Sequence, residues 1–437
     1  MQQLLLSDRP SNESFIKKKT VKVMKNLFVA LNLLTIILIF THCATDDSFN
    51  PDNDTGINTP TNNDNNGSNT NTLDNRGLPL TTTDPIANPT SDAKVELGRL
   101  LFWDPVLSGE KDVACATCHH PQFGYSDGRE LPIGVGGIGI GPNRFDGAND
   151  DIGLVQRNSP TIINTAFNGI RIGQNYVPEA APMFWDNRVE SLEAQTILPT
   201  MSFEEMRGHT YEENETLPTI IARLNAIPEY QTQFQTAFGG NNPINSDNIG
   251  RAIATFERSI VANNSPFDRY ARGDENALTD QQIDGMQRFD AVGCDNCHAG
   301  QMFSDYELHI LAVPDNQVLG FSDDGANSTY AFRTPTLRNL NVTQPYFHNG
   351  VAGNLQTVLN FYNQIQNGNN GGGGNDGLNA NPNVNDNQID PLIGDLNLRG
   401  NDIQPIIAFI QALNDDSFDK TIPASVPSGL QVGGRIN

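Results

Sequence analysis

The pentapeptide CATCH at residues 115–119 is matched by CDNCH at residues 294–298, and the rest of the chain is arranged around these two motifs. Each reads C-x-x-C-H, the pattern through which a c-type haem is attached covalently. The spacing suits that chemistry, because two thiols three positions apart form thioether bonds to the two vinyl groups of one porphyrin. The histidine that follows is then held under the iron as its proximal ligand. We therefore predict two covalent haems. Their attachment residues are Cys115, Cys118 and His119 for the first haem and Cys294, Cys297 and His298 for the second.

A zinc site or a disulfide framework explains these residues less well. A zinc site would pool the two cysteine pairs into one tetrahedral cluster and would leave the two following histidines without a role. A disulfide framework leaves the same histidines unexplained. The two motifs use four of the chain's 5 cysteines and two of its 7 histidines. Haem attachment is the interpretation that accounts for every defining residue of both motifs.

Length and charge restrict the classes of protein that fit. The chain has 437 residues, of which 37% are hydrophobic and 8% aromatic. That is enough for two or three domains with buried cores. The formal net charge is -24, so nucleic acid is not an expected partner, because binding it needs a basic surface. Thioether attachment takes place outside the cytoplasm, so an export signal is expected.

The first 43 residues have the features of an export signal. Met24 and Lys25 precede an apolar run over residues 27–40, which has the length of a signal peptide rather than of a spanning helix. Cys43 follows this run, and we expect it to be acylated after cleavage and to anchor the protein to a membrane. The residues just before Cys43 depart from the usual lipobox, so a plain cleaved signal is the alternative. The expected location is the periplasm or the cell envelope.

The remaining chain divides into a linker and two domains. Residues 44–84 are rich in Asn, Asp, Thr and Gly and are expected to be a disordered linker, because they cannot bury enough apolar surface to fold. The predicted fold class is mainly α, with two cytochrome c-like helical domains that hold one covalent haem each and have extended loops. The predicted domains are residues 85–270 and residues 271–437.

Apolar periodicity places the individual helices. The predicted helices cover residues 94–101, 216–238, 246–262, 280–289 and 403–413. Thr279 is the expected N-cap of the fourth helix, and Asp402 is the expected N-cap of the fifth. A loose tail is expected after the last helix.

An ordered series of short motifs makes the chain similar to a known family. The series is QRNSPT at 156–161, MFWDNR at 183–188, SLEAQ at 191–195, FEEM at 203–206, RTPTLRN at 333–339 and TQPYFHNG at 343–350. Over residues 90–425 the chain resembles the bacterial di-haem cytochrome c peroxidases, and within that family the MauG-type branch. Two C-x-x-C-H motifs alone would indicate only a multihaem cytochrome. The resemblance implies an enzyme whose N-terminal haem reacts with hydrogen peroxide.

The resemblance also implies roles for three side chains. Cleavage of the O–O bond needs a group that moves a proton from the inner to the outer peroxide oxygen, and Glu205 stands at the family's position for that group. Gln195 matches the glutamine that positions peroxide. Trp185 matches the tryptophan that relays electrons between the two haems. Without the resemblance, Glu205 would be interpreted as a solvated carboxylate and Trp185 as ordinary core packing.

The family also binds calcium between its two haems. Asn158 and the backbone carbonyls of Thr343 and Pro345 match the family's ligand positions. Calcium prefers six to eight hard oxygen ligands, and amide, carbonyl and water oxygens together meet that preference. The resemblance therefore implies one bound calcium ion.

The first haem site departs from the typical peroxidases. No histidine lies between His120 and His209, so the distal histidine that caps the first iron in those enzymes has no counterpart. His120 is adjacent to the proximal ligand and is not expected to reach the distal face. Pro199 stands where the MauG-type branch has a distal-pocket proline. The first haem is therefore expected to be five-coordinate. His209 is expected at the surface, and His309 is expected to pack or to contact a propionate.

The second haem site departs as well. Typical peroxidases have a methionine ligand where this chain has Tyr362, and the MauG-type branch has tyrosine there. A phenolate is a hard anionic ligand that lowers the reduction potential, whereas a thioether raises it. Tyr362 is therefore expected to bind the second iron, and the two haems are expected to share oxidising equivalents. A core tyrosine on an amphipathic helix is the alternative interpretation.

Two functions follow from these residues. The first is an extracytoplasmic oxidoreductase that reduces hydrogen peroxide and takes electrons from a redox protein or from protein side chains. The alternative is a non-catalytic di-haem electron-transfer lipoprotein. In that alternative both irons would be six-coordinate, and Glu205 and Gln195 would be dispensable.

Overall fold

The computed structural model describes residues 75–147, 151–366 and 378–437, which all lie in the unit Thr70–Asn437. The predicted export signal, the expected lipid anchor at Cys43 and most of the predicted linker lie outside the described residues. Within the described ranges, the helices are all too short or too polar to cross a membrane.

The described chain is mainly helical, as predicted. Its α-helices are α1 (Asp92–Trp103), α2 (Cys115–Cys118), α3 (Leu192–Gln195), α4 (Glu213–Asn225), α5 (Pro228–Phe238), α6 (Ser246–Ser259), α7 (Pro266–Ala271), α8 (Asp280–Ala291), α9 (Leu355–Ile365), α10 (Pro391–Gly394) and α11 (Gly400–Ala412). Its strands are β1 (Gly137–Ile138), β2 (Phe145–Asp146), β3 (Pro182–Met183), β4 (Val189–Glu190), β5 (Leu308–Ile310) and β6 (Ala331–Arg333). They pair in sequence order as three antiparallel two-stranded sheets, with His309 of β5 opposite Phe332 of β6.

One helix arrangement occurs twice. The helix before each C-x-x-C-H motif packs against a later helix, α1 against α6 and α8 against α11. A glycine allows the close approach in both pairs. A Cβ on Gly98 would lie 2.0 Å from the carbonyl oxygen of Ala252, and a Cβ on Gly285 would lie 1.9 Å from that of Pro405. The two halves therefore share one scheme, in which glycine lets two helix backbones touch.

Replacing Gly285 by alanine is expected to lower the free energy of unfolding by about 1–3 kcal/mol, because the new methyl forces α8 and α11 apart. The loss should outweigh the gain of up to ~1 kcal/mol that alanine brings to a helix. Denaturant unfolding of the holoprotein measures the change. Gly394→Ala is the matched control, because no atom lies within 4 Å of its Cβ position. Equal unfolding midpoints for the two variants would contradict the prediction.

Each half has its own hydrophobic core. The first core is formed by α1, α4, α5 and α6 and includes Leu101 and Phe256. The second core surrounds four phenylalanines whose ring centroids lie 5.3 to 6.1 Å apart in edge-to-face contacts. These are Phe267, Phe289, Phe303 and Phe409. Aromatic pairs in this geometry add to the stabilisation from burial, so they strengthen the second core.

The tail after α11 packs on the first half, so the prediction of a loose tail is wrong. Phe418 and Val426 are buried in the core that contains α1 and α6. The Ser428 hydroxyl donates to Asp104 at 2.6 Å, and the Thr117 hydroxyl, inside the first motif, donates to the carbonyl of Gly433 at 2.9 Å. These contacts join residues more than 300 positions apart, which local composition does not reveal. The domain boundary after residue 270 stays a prediction.

The outer ends of the helices lie within three residues of the predicted ones, and two predictions about helix structure are wrong. Residues 216–238 form two helices rather than one, because Pro228 begins α5 and the residue before a proline disfavours helical geometry. The N-cap position of α11 is Arg399, and the Asp402 carboxylate accepts its backbone N–H at 3.0 Å. The predicted cap of α8 is confirmed, since the Thr279 hydroxyl accepts a backbone N–H at 3.3 Å.

Candidate haem sites

The first motif presents two thiols and one imidazole. Cys115 and Cys118 lie in the single turn α2, where residues three apart are neighbours. Nδ1 of His119 lies 3.0 Å from the carbonyl oxygen of Tyr125 and 3.4 Å from Oγ of Ser159. A carbonyl oxygen only accepts hydrogen bonds, so Nδ1 carries the proton. Nε2 therefore keeps its lone pair for a metal, the arrangement typical of a ligating histidine.

The second motif presents the same groups. Cys294 begins a 3₁₀ turn, Cys294–Asn296, and side chains three residues apart are eclipsed in such a turn. Nδ1 of His298 lies 3.0 Å from the carbonyl oxygen of Phe303, so its Nε2 is also left for a metal. No disulfide joins the described cysteines. Among the described residues, the cluster with metal-ligand spacing is Cys297, Asp305 and His309, not a pooled set of four cysteines.

Hydroxyl groups fix the loop beneath the first histidine. The Ser126 hydroxyl donates to the carbonyl of Ser159 at 2.8 Å, and the Thr161 hydroxyl donates to that of Gly124 at 2.6 Å. These bonds join the NSPT segment to the loop that holds His119. The loop is therefore fixed, and its Tyr125 carbonyl, a backbone group without rotamers, orients the His119 imidazole.

The loop beneath the second histidine repeats this pattern. The Ser304 hydroxyl donates to the carbonyl of Thr334 at 2.6 Å, and the Thr336 hydroxyl donates to that of Met302 at 2.6 Å. The RTPT segment is thus joined to the loop beneath His298, just as NSPT is joined to the loop beneath His119. The equivalence was not predicted from the sequence, although the shared Pro-Thr of the two segments was a signal for it.

A cavity with mostly apolar walls opens above the second motif. Its polar lining includes Cys294, Cys297, His298 and Tyr362. Its apolar lining includes Phe289, Leu355, Leu359, Ile393, Leu398 and Ile406. Two thiols, one imidazole with a free Nε2 and a ring of aliphatic side chains fit a covalently attached haem, because the macrocycle is apolar and its iron needs an axial nitrogen.

Tyr362, on α9, is one of four tyrosines that line this cavity. The hydroxyls of Tyr306 and Tyr346 donate to main-chain carbonyls at 3.2 and 2.8 Å. The hydroxyls of Tyr362 and Tyr330 form no hydrogen bond with any residue that the structure describes. A buried tyrosine hydroxyl usually has a partner. The geometry leaves the Tyr362 oxygen available to a ligand in the cavity.

Four further predicted residues lie around the same cavity. Trp185, Asn158, Thr343 and Pro345 all line it. The indole N–H of Trp185 donates to the carbonyl of Asn158 at 2.9 Å, and the backbone N–H of Asn158 donates to the carbonyl of His348 at 2.7 Å. The structure therefore brings the predicted relay residue and the predicted calcium residues together.

The backbone around Trp185 is strained. Phe184, Asn187 and Ser191 have φ of 66°, 52° and 67°, in the left-handed region that non-glycine residues seldom adopt. Such strain persists only where the surrounding structure enforces it, and it is often found at functional sites. The sequence carried no signal for it.

Glu205 lies on a π-helical turn, Phe203–Arg207. Single π turns are rare in proteins, but those that occur are often found at functional sites. Burial raises the pKa of Glu205 to about 7, while Arg188 and Ser202 act in the opposite direction. The Glu205 side chain is half-buried, and its role stays a prediction. A carboxyl with this pKa can accept and release a proton near neutral pH.

Gln195 ends α3, and Pro199 lies in the following 3₁₀ turn, Leu198–Thr200. The Gln195 amide forms no hydrogen bond with any described residue, and none joins it to Glu205. Its donor and acceptor are both unused. Gln195 thus has free hydrogen-bonding capacity, the property that a residue binding a small polar molecule requires.

The two histidines beside these sites lie where they were expected. The His120 ring packs edge-on against Trp103 with ring centroids 5.4 Å apart, which agrees with a residue that does not reach the distal face. His209 is exposed at the surface, and its Nε2 lies 2.7 Å from Asp151.

Two charged clusters were missed in the sequence. His309 is held between two carboxylates, with Nε2 2.9 Å from Asp305 and Nδ1 2.7 Å from Asp390. The hydrogen bond with Asp305 is the largest of the effects that raise the pKa of His309 to about 11. The Asp305–His309 spacing was a signal for half of this cluster, but Asp390 is 81 positions away.

The second missed cluster surrounds Arg157. Its guanidinium donates to Asp186 at 2.8 Å and to Asp323 at 2.6 and 2.9 Å. Arg188 also binds Asp186, at 2.8 Å. The Arg and Asp of the QRNSPT and MFWDNR motifs were visible in the sequence, but their pairing depends on how the two loops meet beside Trp185.

Comparison with known proteins identifies the family. The family model for di-haem cytochrome c peroxidase matches residues 92–276. The methylamine utilization protein MauG of Methylorubrum extorquens is 35% identical over 283 residues, which cover 64% of this chain and 70% of that protein. Cytochrome-c peroxidase IdrP1 of a Pseudomonas species is 33% identical over 368 residues, which cover 76% of this chain and 83% of that protein.

A solved structure agrees with these relatives. The crystal structure of a MauG-like protein associated with microbial copper homeostasis matches with a TM-score of 0.59 and 25% identity, over 78% of this chain and 95% of that chain. The family implies two c-type haems, and the two C-x-x-C pairs described above supply their attachment residues. The chain therefore belongs to the di-haem cytochrome c peroxidase family, as a MauG-like enzyme.

Proposed function

We propose that this protein is an extracytoplasmic oxidoreductase that reduces hydrogen peroxide at its N-terminal haem site. The electrons would come from a redox protein or from protein side chains, and the two haems would share the oxidising equivalents. The half-buried Glu205 on its π turn carries this proposal, because a carboxyl whose pKa burial raises to about 7 can both accept and release the proton that peroxide cleavage moves. Replacing Glu205 by glutamine tests it.

When bound, each haem supplies an iron that exchanges electrons. Reduction of hydrogen peroxide to two water molecules consumes two electrons and two protons. The Glu205 carboxylate would accept the proton from one peroxide oxygen and deliver it to the other, which then leaves as water. One carboxyl serves both steps, because a group whose pKa lies near the working pH can both accept and release a proton.

Gln195 and Pro199 would shape the peroxide pocket. The side-chain amide of Gln195 has an N–H that can donate to one peroxide oxygen and a carbonyl that can accept a hydrogen bond from the O–H of the other. Pro199 has no backbone N–H and adds no competing donor. Peroxide would then be held in one orientation relative to Glu205.

Trp185 would relay electrons between the two halves. The hydrogen bond from its indole to Asn158 holds the ring at the second cavity, and Asn158 is bonded in turn to His348 at that cavity. A fixed aromatic ring between two redox centres shortens the distance that an electron travels in one step.

Tyr362 would bind the iron of the haem that Cys294, Cys297 and His298 would hold. Its hydroxyl faces that cavity without a hydrogen-bond partner among the described residues. A phenolate there would lower the reduction potential of the second haem. That property suits a site that stores oxidising equivalents rather than one that receives electrons at high potential.

A calcium ion would lie between the haems, bound by Asn158 and by the carbonyl oxygens of Thr343 and Pro345. The Asn158 amide nitrogen is used, because it donates to the carbonyl of Arg129 at 2.8 Å, so its Oδ1 is the atom left for a cation. Asn158 is 5% exposed. A buried amide and carbonyl oxygens are ligands that calcium prefers.

Purified protein is expected to contain one calcium ion per chain, and Asn158→Ala is expected to lower its calcium affinity at least ~10-fold. Metal analysis and calcium titration of the holoprotein measure the change. Asn276→Ala, at an exposed asparagine, is the control. A wild-type protein that holds no calcium and does not respond to added calcium would contradict the site.

The proposed location is the periplasm or the cell envelope, with a lipid anchor at Cys43. The support is the export-like segment before Cys43 and the need of c-type haem attachment for an extracytoplasmic compartment. The anchor would keep the enzyme close to membrane-associated electron donors.

A further inference from the structure

Two glycines pack closely against the backbone of the turn that carries Glu205. A Cβ on Gly134 would lie 2.1 Å from the carbonyl oxygen of Glu204, 2.4 Å from that of Glu205 and 2.8 Å from the Glu205 Cα. A Cβ on Gly109 would lie 1.9 Å from the carbonyl oxygen of Arg207. Side chains do not approach backbone atoms this closely, so only glycine fits at either position. We call Gly109 and Gly134 the glycine clamp.

Backbone hydrogen bonds from Gly109 and from Val135, the residue after Gly134, join the glycine clamp to the same turn. The backbone N–H of Gly109 donates to the carbonyl of Met206 at 2.7 Å, and the backbone N–H of Val135 donates to that of Glu204 at 3.2 Å. Both carbonyls flank Glu205 in the sequence. The turn is thus bound on two sides by segments that come from the loops around the first haem motif.

Backbone conformation does not explain these glycines. Gly136, Gly139 and Gly141 in the same loop have φ of 81°, 92° and 58°, which favours glycine whatever surrounds it. Gly109 and Gly134 are absent from the residues with positive φ. Their requirement for glycine therefore comes from the close contact with the Glu205 turn and not from the shape of their own loop.

We propose that Gly109 and Gly134 are positioning residues for Glu205, and that the glycine-rich loop sets the place of this carboxyl in the peroxide pocket. This inference rests on the proposed function of Glu205. A methyl group at residue 134 needs more than an ångström of extra room to reach ordinary contact with the turn. A displacement of that size at a reacting group lowers catalysis by up to about 10²-fold.

The test is a double-mutant cycle on the holoprotein. Gly134→Ala, Glu205→Gln and the combined variant are compared for kcat/KM with hydrogen peroxide. Gly134→Ala is expected to lower kcat/KM by about 10- to 100-fold. In the Glu205→Gln background the same change is expected to have an effect smaller than about threefold, because residues that act as one unit are not additive. Gly109→Ala is made as a second, independent variant.

A second readout follows the carboxyl itself. Infrared spectra at pH 6 should contain a protonated-carboxyl band that is lost in Glu205→Gln, and Gly134→Ala should shift that band. Haem content and the optical spectrum of each variant report whether both haems are attached normally. Gly153→Ala is the matched control, because Gly153 is exposed and has no atom within 4 Å of its Cβ position.

The outcomes separate the two ideas. An equal loss from Gly134→Ala in both backgrounds would overturn the clamp while leaving the role of Glu205 intact. An unshifted infrared band together with wild-type activity would also overturn it, as would a loss of haem from both glycine variants. If Glu205→Gln keeps full activity, the acid–base role fails and the clamp fails with it.

Discussion

Glu205→Gln is expected to lower kcat/KM for hydrogen peroxide by about 10²- to 10⁴-fold at pH 7, the range in which a general acid–base group contributes. Glutamine has almost the same shape as glutamate but cannot carry a proton from one peroxide oxygen to the other. The haems should remain attached, since both C-x-x-C-H motifs are unchanged. Stopped-flow measurement of the reaction with peroxide gives the rate, and electron paramagnetic resonance gives the spin state of each iron.

The pH dependence of the wild-type enzyme follows from the same residue. The carboxylate form of Glu205 has to be present to accept the first proton. Burial raises the pKa of Glu205 to about 7, so kcat/KM should rise with pH up to about that value and level off above it. The acidic limb should disappear in Glu205→Gln.

Glu204→Gln is the matched control for this experiment. Glu204 lies on the same π turn and is the adjacent carboxyl, so its replacement removes the same charge without touching the proposed proton carrier. Equal rates for the wild-type protein and Glu205→Gln would remove the acid–base mechanism. If the wild-type protein also showed two low-spin irons that never react with peroxide, it would be the di-haem electron carrier of the alternative function.

Tyr362→Phe is expected to convert the second haem from low spin to high spin. Phenylalanine fills the same space in the cavity but has no oxygen to bind iron, so the second iron would lose one axial ligand. The low-spin signal should account for roughly half of the total iron in the wild-type protein, since one haem of two is low spin, and it should be lost in the variant. The first haem should keep its spectrum. Electron paramagnetic resonance of the oxidised protein measures the change.

Tyr330→Phe is the control that the cavity offers. Tyr330 lines the same cavity as Tyr362, and its hydroxyl also has no hydrogen-bond partner among the described residues. If Tyr330→Phe changes the spin state and Tyr362→Phe does not, the ligand is Tyr330. If neither variant changes it, the second iron is bound by neither Tyr362 nor Tyr330, and the resemblance to the MauG-type branch fails at Tyr362.

The haem motifs were predictable because their chemistry is local. Two thiols and one imidazole within five residues identify a c-type haem without reference to any other part of the chain. The same holds for the cap of α8, where the Thr279 hydroxyl binds a backbone N–H three residues on. The break at Pro228 is local as well, because the residue before a proline disfavours helical geometry.

The roles of Glu205, Gln195, Trp185 and Tyr362 were assigned through resemblance, since no spacing in the sequence distinguishes a buried carboxyl from a solvated one. The structure adds the physical setting. Glu205 is half-buried on a π turn, the Gln195 side chain forms no hydrogen bond with a described residue, and the Trp185 indole is bonded to Asn158. Each of these properties depends on what surrounds the side chain.

The two haem motifs, the helix ahead of each and a family resemblance over most of the chain can be inferred from the amino-acid sequence. Long-range contacts are what place Asp305 and Asp390 around His309, return the tail to Asp104 and Gly433 and bring Gly109 and Gly134 against the Glu205 turn. The difference comes from distance along the chain. Periodicity, caps and C-x-x-C-H spacing act within a few residues, whereas burial, pKa and close backbone contact arise from segments that only folding brings together.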